Sequence, residues 1–195
     1  TEESVKFPEK YFTNNTKNAA ILFDNCYKNG LKNFIFSSTA AAYGNPDKKL
    51  IQEDDDLNPL TPYGESKVQS ENKLIQMQKE NKINYVILRY FNVAGADPKL
   101  RSGLISKNPS HLIKIASQAA IGKRDSVTIF GNDYNTRDGT AIRDYIHVSD
   151  LADIHVKSLK YLLEKKHSKI LNCGYGIGYS VKEVLDTLNR VCKNK

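Results

Sequence analysis

The sequence predicts an α/β chain built on a doubly wound parallel sheet, and three observations lead there. Helical and extended patterns alternate along the chain, as strands joined by crossover helices require. The run Tyr85-Val86-Ile87-Leu88 is continuously apolar, which implies a strand buried on both faces. A second run, Asn33 to Ser38, ends in the hydroxyl-rich Ser37-Ser38-Thr39, and ligands of open parallel sheets gather at the carboxyl ends of strands. With 195 residues the chain has room for a sizeable core, as one domain or parts of two.

Taken in order, the first helix is expected from near Pro8 to Asn29, with Gly30 as its C-terminal stop. The strand Asn33–Ser38 follows, then a long loop ending at Pro62. Thr61 suits an N-cap and Pro62 a first helical residue, so a helix is expected from Tyr63 to about Glu80. It leads into the strand Tyr85–Tyr90. Beyond Asn92 the pattern is more irregular. A helix start is expected near His111 with Ser110 as N-cap, and Ser180 with Glu183 forms a capping box for a last helix. No internal repeat or low-complexity tract interrupts the chain.

Composition excludes several classes. No apolar run approaches the roughly 18 residues of a bilayer span, and no signal peptide is visible. Cys26, Cys173 and Cys192 show no Cys-x-x-Cys spacing, which fits reduced thiols in the cytoplasm and neither a disulfide framework nor a zinc site. His111, His147, His155 and His167 have no i, i+4 pairing, so no metal site is expected. The acidic turn Glu53-Asp54-Asp55-Asp56 reads as a solvated loop before Pro59. The net charge of +7 comes from basic residues scattered among acids, which speaks for solubility and against nucleic-acid binding.

The chemistry-bearing pair is Tyr63 and Lys67, four residues apart and therefore one turn apart on one helix face. An isolated phenol, with a pKa of about 10, is a poor base near neutrality; an adjacent ammonium favours its phenolate. Thr39, delivered at a strand end, can share a substrate proton. By spacing alone, a Tyr and a Lys one turn apart are more often a snorkelling surface pair.

Four ordered blocks widen the context: Asn33 to Gly44, Tyr63 to Lys67, Leu88 to Ala96, and Ile129 to Tyr134 continuing through Asp138-Gly139-Thr140 to Arg143-Asp144-Tyr145-Ile146-His147-Val148. Together they resemble the extended short-chain dehydrogenase/reductase superfamily and, within it, the UDP-glucose 4-epimerases. The resemblance implies a Rossmann-like NAD-binding domain over residues 1–92. Residues 93–195 would belong mainly to a smaller UDP-sugar-binding part, and a segment near 142–162 would return to the first sheet. It implies NAD as cofactor, a UDP-sugar as substrate, and a complete enzyme that can form a homodimer. Tyr63 would take and return the proton of the sugar hydroxyl at C4, Thr39 would occupy the catalytic Ser/Thr position, and Lys67 would hold the nicotinamide ribose. Ser37, Ser38 and Tyr90 would line the cofactor. Thr39, Asn92, His111, Thr128, Phe130 and Arg143 would meet the substrate, with Val127–Phe130 as a short strand beside the uracil and Arg143 on the diphosphate. For Arg143 the alternative is a salt bridge to Asp144 or another acid.

Two further observations shape that expectation. Ala40-Ala41 stands where the related 4,6-dehydratases place acids just after the Thr, and alanines transfer no proton, so dehydration is not expected. The family's Gly-x-x-Gly-x-x-Gly phosphate loop is not in this sequence, which reads as an internal or truncated piece of the family's chain. Gly174-Tyr175-Gly176-Ile177-Gly178 does not replace it. Its third Gly comes one residue early, and a strand-to-helix turn explains it. The alternative to an epimerase is therefore an inactive remnant acting at most as a weak binding or interaction module.

Overall fold

The computed structural model describes residues 2–106 and 109–192. The chain forms two compact units, Thr1–Phe91 with Ala152–Cys173, and Asn92–Leu151 with Gly174–Lys195. The segment Ala152–Cys173 groups with the first unit. It is the strand of this segment that joins the first sheet.

The first unit opens with α1 (Glu2–Lys6) and α2 (Pro8–Tyr11), followed by a π-helical segment Phe12–Lys17 and α3 (Asn18–Lys28). The helical run expected from Pro8 is therefore present but widened in its middle. Asn15 donates from its side chain to Ser66 Oγ at 3.1 Å, and Thr16 Oγ1 donates to Ser66 O at 3.0 Å. Ser70 Oγ in turn donates to the Asn15 carbonyl, an acceptor that a tight α-helical ladder would occupy. At the far end Gly30, with φ of 84°, closes α3 in a Schellman motif: Gly30 N–H bonds Tyr27 O and Leu31 N–H bonds Cys26 O, both at 3.0 Å.

Strands β1 (Asn33–Thr39), β2 (Asn84–Tyr90) and β5 (Lys169–Cys173) form a parallel sheet in the order β1-β2-β5. The central strand is β2, and Val86, Ile87 and Leu88 are all 0% exposed, as a strand covered on both faces must be. One face packs on α3 and α4 (Pro62–Lys79) through Phe23, Phe36, Leu74, Met77 and Ile87. Phe23 meets the rings of Phe34 and Phe36 edge-on at 4.9 and 5.7 Å. Over the other face runs α6 (Val148–Lys165), whose Ile154, Ser158 and Tyr161 line a small apolar cavity with Val86 and Leu171.

In the second unit β3 (Asn92–Ala94) pairs parallel with β4 (Ile142–His147), which pairs antiparallel with β6 (Gly178–Ser180). Helix α5 (Leu112–Ala120) packs against α7 (Val181–Cys192). The capping box of α7 forms in both directions: Ser180 N–H donates to Glu183 Oε2 at 2.8 Å and Glu183 N–H to Ser180 Oγ at 3.1 Å. Two expectations are corrected here. His111, not Ser110, takes the N-cap position of α5, and it provides no side-chain cap. Val127–Phe130 forms no strand, and Phe130 is 85% exposed; four residues with little alternation do not carry a ladder without a partner edge.

Candidate active site

The carboxyl end of β1 is built into the start of α4. Thr39 ends the strand in extended conformation and caps a 3-10 turn, Ala40–Tyr43, by accepting from Ala41 N–H at 3.1 Å. Thr61 caps α4 by accepting from Gly64 N–H at 3.2 Å, and Pro62 supplies the first helical residue. Gly64 permits the junction: a Cβ there would lie 2.7 Å from the Ala41 carbonyl oxygen, so only a residue without one lets the helix start seat on the Thr39 turn. That seat brings the turns carrying Thr39 and Tyr63 together. Tyr63 is half-buried, edge-on to Tyr11 at 6.1 Å.

One turn on, Lys67 Nζ donates to Ser37 O at 3.0 Å and lies 5.0 Å from the Phe36 ring centroid. Burial pushes the Lys67 ammonium below the usual lysine range, partly opposed by the Glu71 carboxylate. The exposed Ser37 also accepts, at Oγ, from the Tyr90 hydroxyl at 2.7 Å, and the same hydroxyl lies 2.6 Å from His155 Nε2 on α6. Ser37, Lys67 and Tyr90 are thus joined by direct hydrogen bonds.

Ser38 points the other way and belongs to a buried network. It donates to Glu71 Oε1 on α4. Glu71 also receives Arg89 of β2, with Nη2 to Oε2 at 2.7 Å; the two side chains are 0% and 3% exposed. Arg89 Nη1 donates to Tyr43 Oη at 2.7 Å, and the Tyr43 hydroxyl donates to Asn172 Oδ1 of β5 at 2.7 Å. Glu53 joins through its carbonyl, which accepts from Arg89 at 3.1 Å, and its carboxylate, which accepts from Asn172 N–H at 2.8 Å. The acidic turn is exposed at Glu53, Asp54 and Asp56, as expected, and Glu53 in addition tethers β2 to β5. Sequence reading missed this network and His155. The available signal was Arg89 itself, a charge in an apolar strand, which demands a buried carboxylate.

Thr39 apart, which is buried at the end of β1, the candidate substrate residues lie in the second unit and are mostly exposed. Asn92 stands in β3 opposite Tyr145 of β4, and Thr128, Phe130 and His111 have exposed side chains. Arg143 is exposed on β4, its Nη1 bonded to Ile142 O at 2.7 Å. The salt bridge to Asp144 is absent. The Asp144 carboxylate instead accepts from Tyr175 N–H at 3.0 Å and Gly176 N–H at 2.7 Å, holding the Gly174–Gly178 turn. Among the described residues Arg143 is in no ion pair. His147 is structural: its Nδ1 accepts from Ser149 N–H at 3.2 Å, and a Cβ at Gly95 would lie 2.3 Å from its ring.

A family model described as "NAD dependent epimerase/dehydratase family" matches residues 1–174. The chain belongs to the NAD dependent epimerase/dehydratase family. Within that family it is 50% identical to a UDP-glucose 4-epimerase of Azospirillum brasilense, over 97% of this chain and 54% of that protein. The crystal structure of UDP-glucose 4-epimerase from Brucella ovis in complex with NAD superposes with a TM-score of 0.93 at 40% identity, covering 97% of this chain and 58% of that one. The Bifidobacterium longum enzyme in complex with NAD+ and UDP gives 0.91 at 36%, over 98% and 58%. The chain therefore spans somewhat over half the length of these epimerase/dehydratase relatives.

Proposed function

We propose that this chain supplies the catalytic and substrate-facing part of a cytoplasmic, NAD-dependent UDP-hexose 4-epimerase. The observation that carries the reading is the junction at Ser37: a half-buried ammonium, Lys67, is anchored to the end of β1 one helical turn from Tyr63. The residues present fit the nicotinamide-ribose end of NAD. Among the described residues the Lys67 ammonium has one hydrogen-bond acceptor, Ser37 O, so it keeps donors for ribose hydroxyls, and Ser37 offers an exposed hydroxyl beside it. The Gly-rich phosphate loop is not among these residues.

When bound, NAD supplies reversible hydride acceptance at the sugar C4. Tyr63 removes the C4 hydroxyl proton as the sugar is oxidised and returns it once the keto sugar has turned over in the site. Lys67 stands one helical turn from Tyr63 and holds the ribose, and Thr39 orients the reacting hydroxyl. Arg143, an exposed fork of donors without an acidic partner among the described residues, suits the diphosphate, with His111 near the same phosphates and Asn92, Thr128 and Phe130 toward the rest of the UDP-sugar. The free thiols of Cys26, Cys173 and Cys192 support a reducing compartment.

The test joins this chain to the segments that flank the matching region in the Azospirillum brasilense relative and follows conversion of UDP-galactose. Tyr63→Phe is expected to lose about 100- to 10,000-fold in turnover. Thr39→Ser is expected to be tolerated and Thr39→Ala to be intermediate. A Tyr63→Phe protein as active as its parent would remove Tyr63 from the mechanism.

A further inference from the structure

Tyr63 is the second residue of α4, after Thr61 at the cap and Pro62 at the first position. No preceding turn of helix stands there to exclude χ1 wells, so the helix by itself does not choose which way the phenol points. Hydrogen bonding does not choose either. Among the described residues Tyr63 accepts from Ser66 Oγ at its carbonyl, at 2.8 Å, while its hydroxyl is in no hydrogen bond. What meets the ring is Tyr11 of α2, edge-on, with centroids 6.1 Å apart and planes at 86°. An aromatic pair of this geometry biases one rotamer over another by roughly two- to tenfold.

Tyr11 is itself held. Its hydroxyl donates to Glu3 Oε2 at 2.8 Å, and Glu3 Oε1 accepts from Lys10 Nζ at 2.6 Å. One turn further along the same helical run, the side chains of Asn15 and Thr16 in the π-helical segment bond Ser66, the residue whose hydroxyl reaches the Tyr63 carbonyl. The run from Tyr11 to Thr16 thus grips the first turn of α4 at two points, the ring of Tyr63 and the main chain beneath it. Tyr11 is no second base: the hydrogen bond to Glu3, followed by burial, pushes its phenol above the usual tyrosine range and keeps it neutral. We propose that Tyr11 is a positioning residue whose ring, seated by the π-helical segment on Ser66, selects the rotamer in which Tyr63 meets the sugar hydroxyl. The proposal rests on the reading of Tyr63 as the acid/base. A hydroxyl free of protein partners on a ring fixed by packing keeps both its donor and its acceptor capacity for the substrate.

Three-bond couplings of the Tyr63 side chain, read by NMR in the 195-residue chain labelled at tyrosine and assigned by the signal lost in Tyr63→Phe, report its χ1 populations. One rotamer is expected to dominate in the parent and in Tyr11→Phe, which keeps the ring and its seat. Tyr11→Leu and Tyr11→Met, which keep apolar bulk without the ring, are expected to raise a second rotamer by roughly two- to tenfold. The buried Tyr43 and Tyr85 report in the same spectra that a variant is folded. In the completed enzyme of the preceding test, kcat for UDP-galactose is expected to fall in proportion to the population of the dominant rotamer, with KM within about twofold, and Tyr11→Phe to match the parent. A Tyr63 rotamer already averaged in the parent, one unchanged in folded Tyr11→Leu or Tyr11→Met, or a kcat that does not follow the rotamer overturns the proposal. The expected rotamers in a completed enzyme without turnover, or in one whose Tyr63→Phe form is fully active, uphold the hold of Tyr11 on Tyr63 and count against the acid/base reading alone.

Discussion

Arg89 and Glu71 show what one residue can commit a fold to. Both are desolvated, and their attraction offsets that cost only because Ser38, Tyr43 and the Glu53 carbonyl take up the remaining hydrogen-bonding capacity. Arg89→Met leaves the Glu71 carboxylate buried and unpaired, and is expected to cost about 3–5 kcal/mol in urea denaturation, whereas Glu71→Leu with Arg89→Met should recover much of it. Equal losses in the single and double variants would mean that the hydrogen bonds to Ser38 and Tyr43, not the charges, dominate. On the substrate side Arg143→Ala, in the completed enzyme, is expected to weaken UDP binding by about 1.5–3 kcal/mol and NAD binding much less, as titration of each ligand would show. Parallel loss of both ligands would point to a structural role.

At the scale of elements, the start of α7 depends on Asp138. Its carboxylate accepts from Thr140 N–H at 2.9 Å, Thr140 Oγ1 at 2.7 Å and the Ser180 hydroxyl, so the turn before β4 and the cap of α7 share one anion. The Ser180 hydrogen bond, followed by those from Thr140, holds the Asp138 pKa down from 3.8 to about 2. The sign follows from linkage: a depressed carboxylate stabilises the fold fully above its unfolded value and loses that contribution as pH falls through its folded one. Thermal melting of the parent and of Asp138→Asn is therefore expected to differ above about pH 4 and to converge as pH falls toward about 2. A constant gap down to the lowest pH would show that the amide variant is weakened for reasons other than charge. The elements themselves were largely legible. Thr61-Pro62 announced α4, Ser180 with Glu183 announced α7, and Gly30 ended α3, because capping and stop chemistry acts over three or four residues. His111 at the cap of α5 and the unpaired Val127–Phe130 were not legible, since neither has a local signal strong enough to decide without its surroundings.

For the whole molecule, a chain spanning somewhat over half of its relatives, and without the Gly-rich loop in its sequence, is expected to bind NAD more weakly than micromolar when titrated alone. Micromolar or tighter binding, roughly 8 kcal/mol, would mean that the strand end around Ser37 and Lys67 suffices without a phosphate cradle. The sequence by itself determined the class of fold, the doubly covered β2, and the placing of Tyr63 and Lys67 on one helix face. Each follows from periodicity or capping, which a local window contains. Only the tertiary structure decided that Ser37 ties Lys67 to Tyr90 and His155, that Arg89 finds Glu71, and that Asp144 serves the Gly174–Gly178 turn and leaves Arg143 exposed. These partners lie from 18 to 65 residues apart, and no local rule selects among the many polar groups that could have met. Packing selects them, because a buried polar group without its partner is too costly to survive in the folded chain.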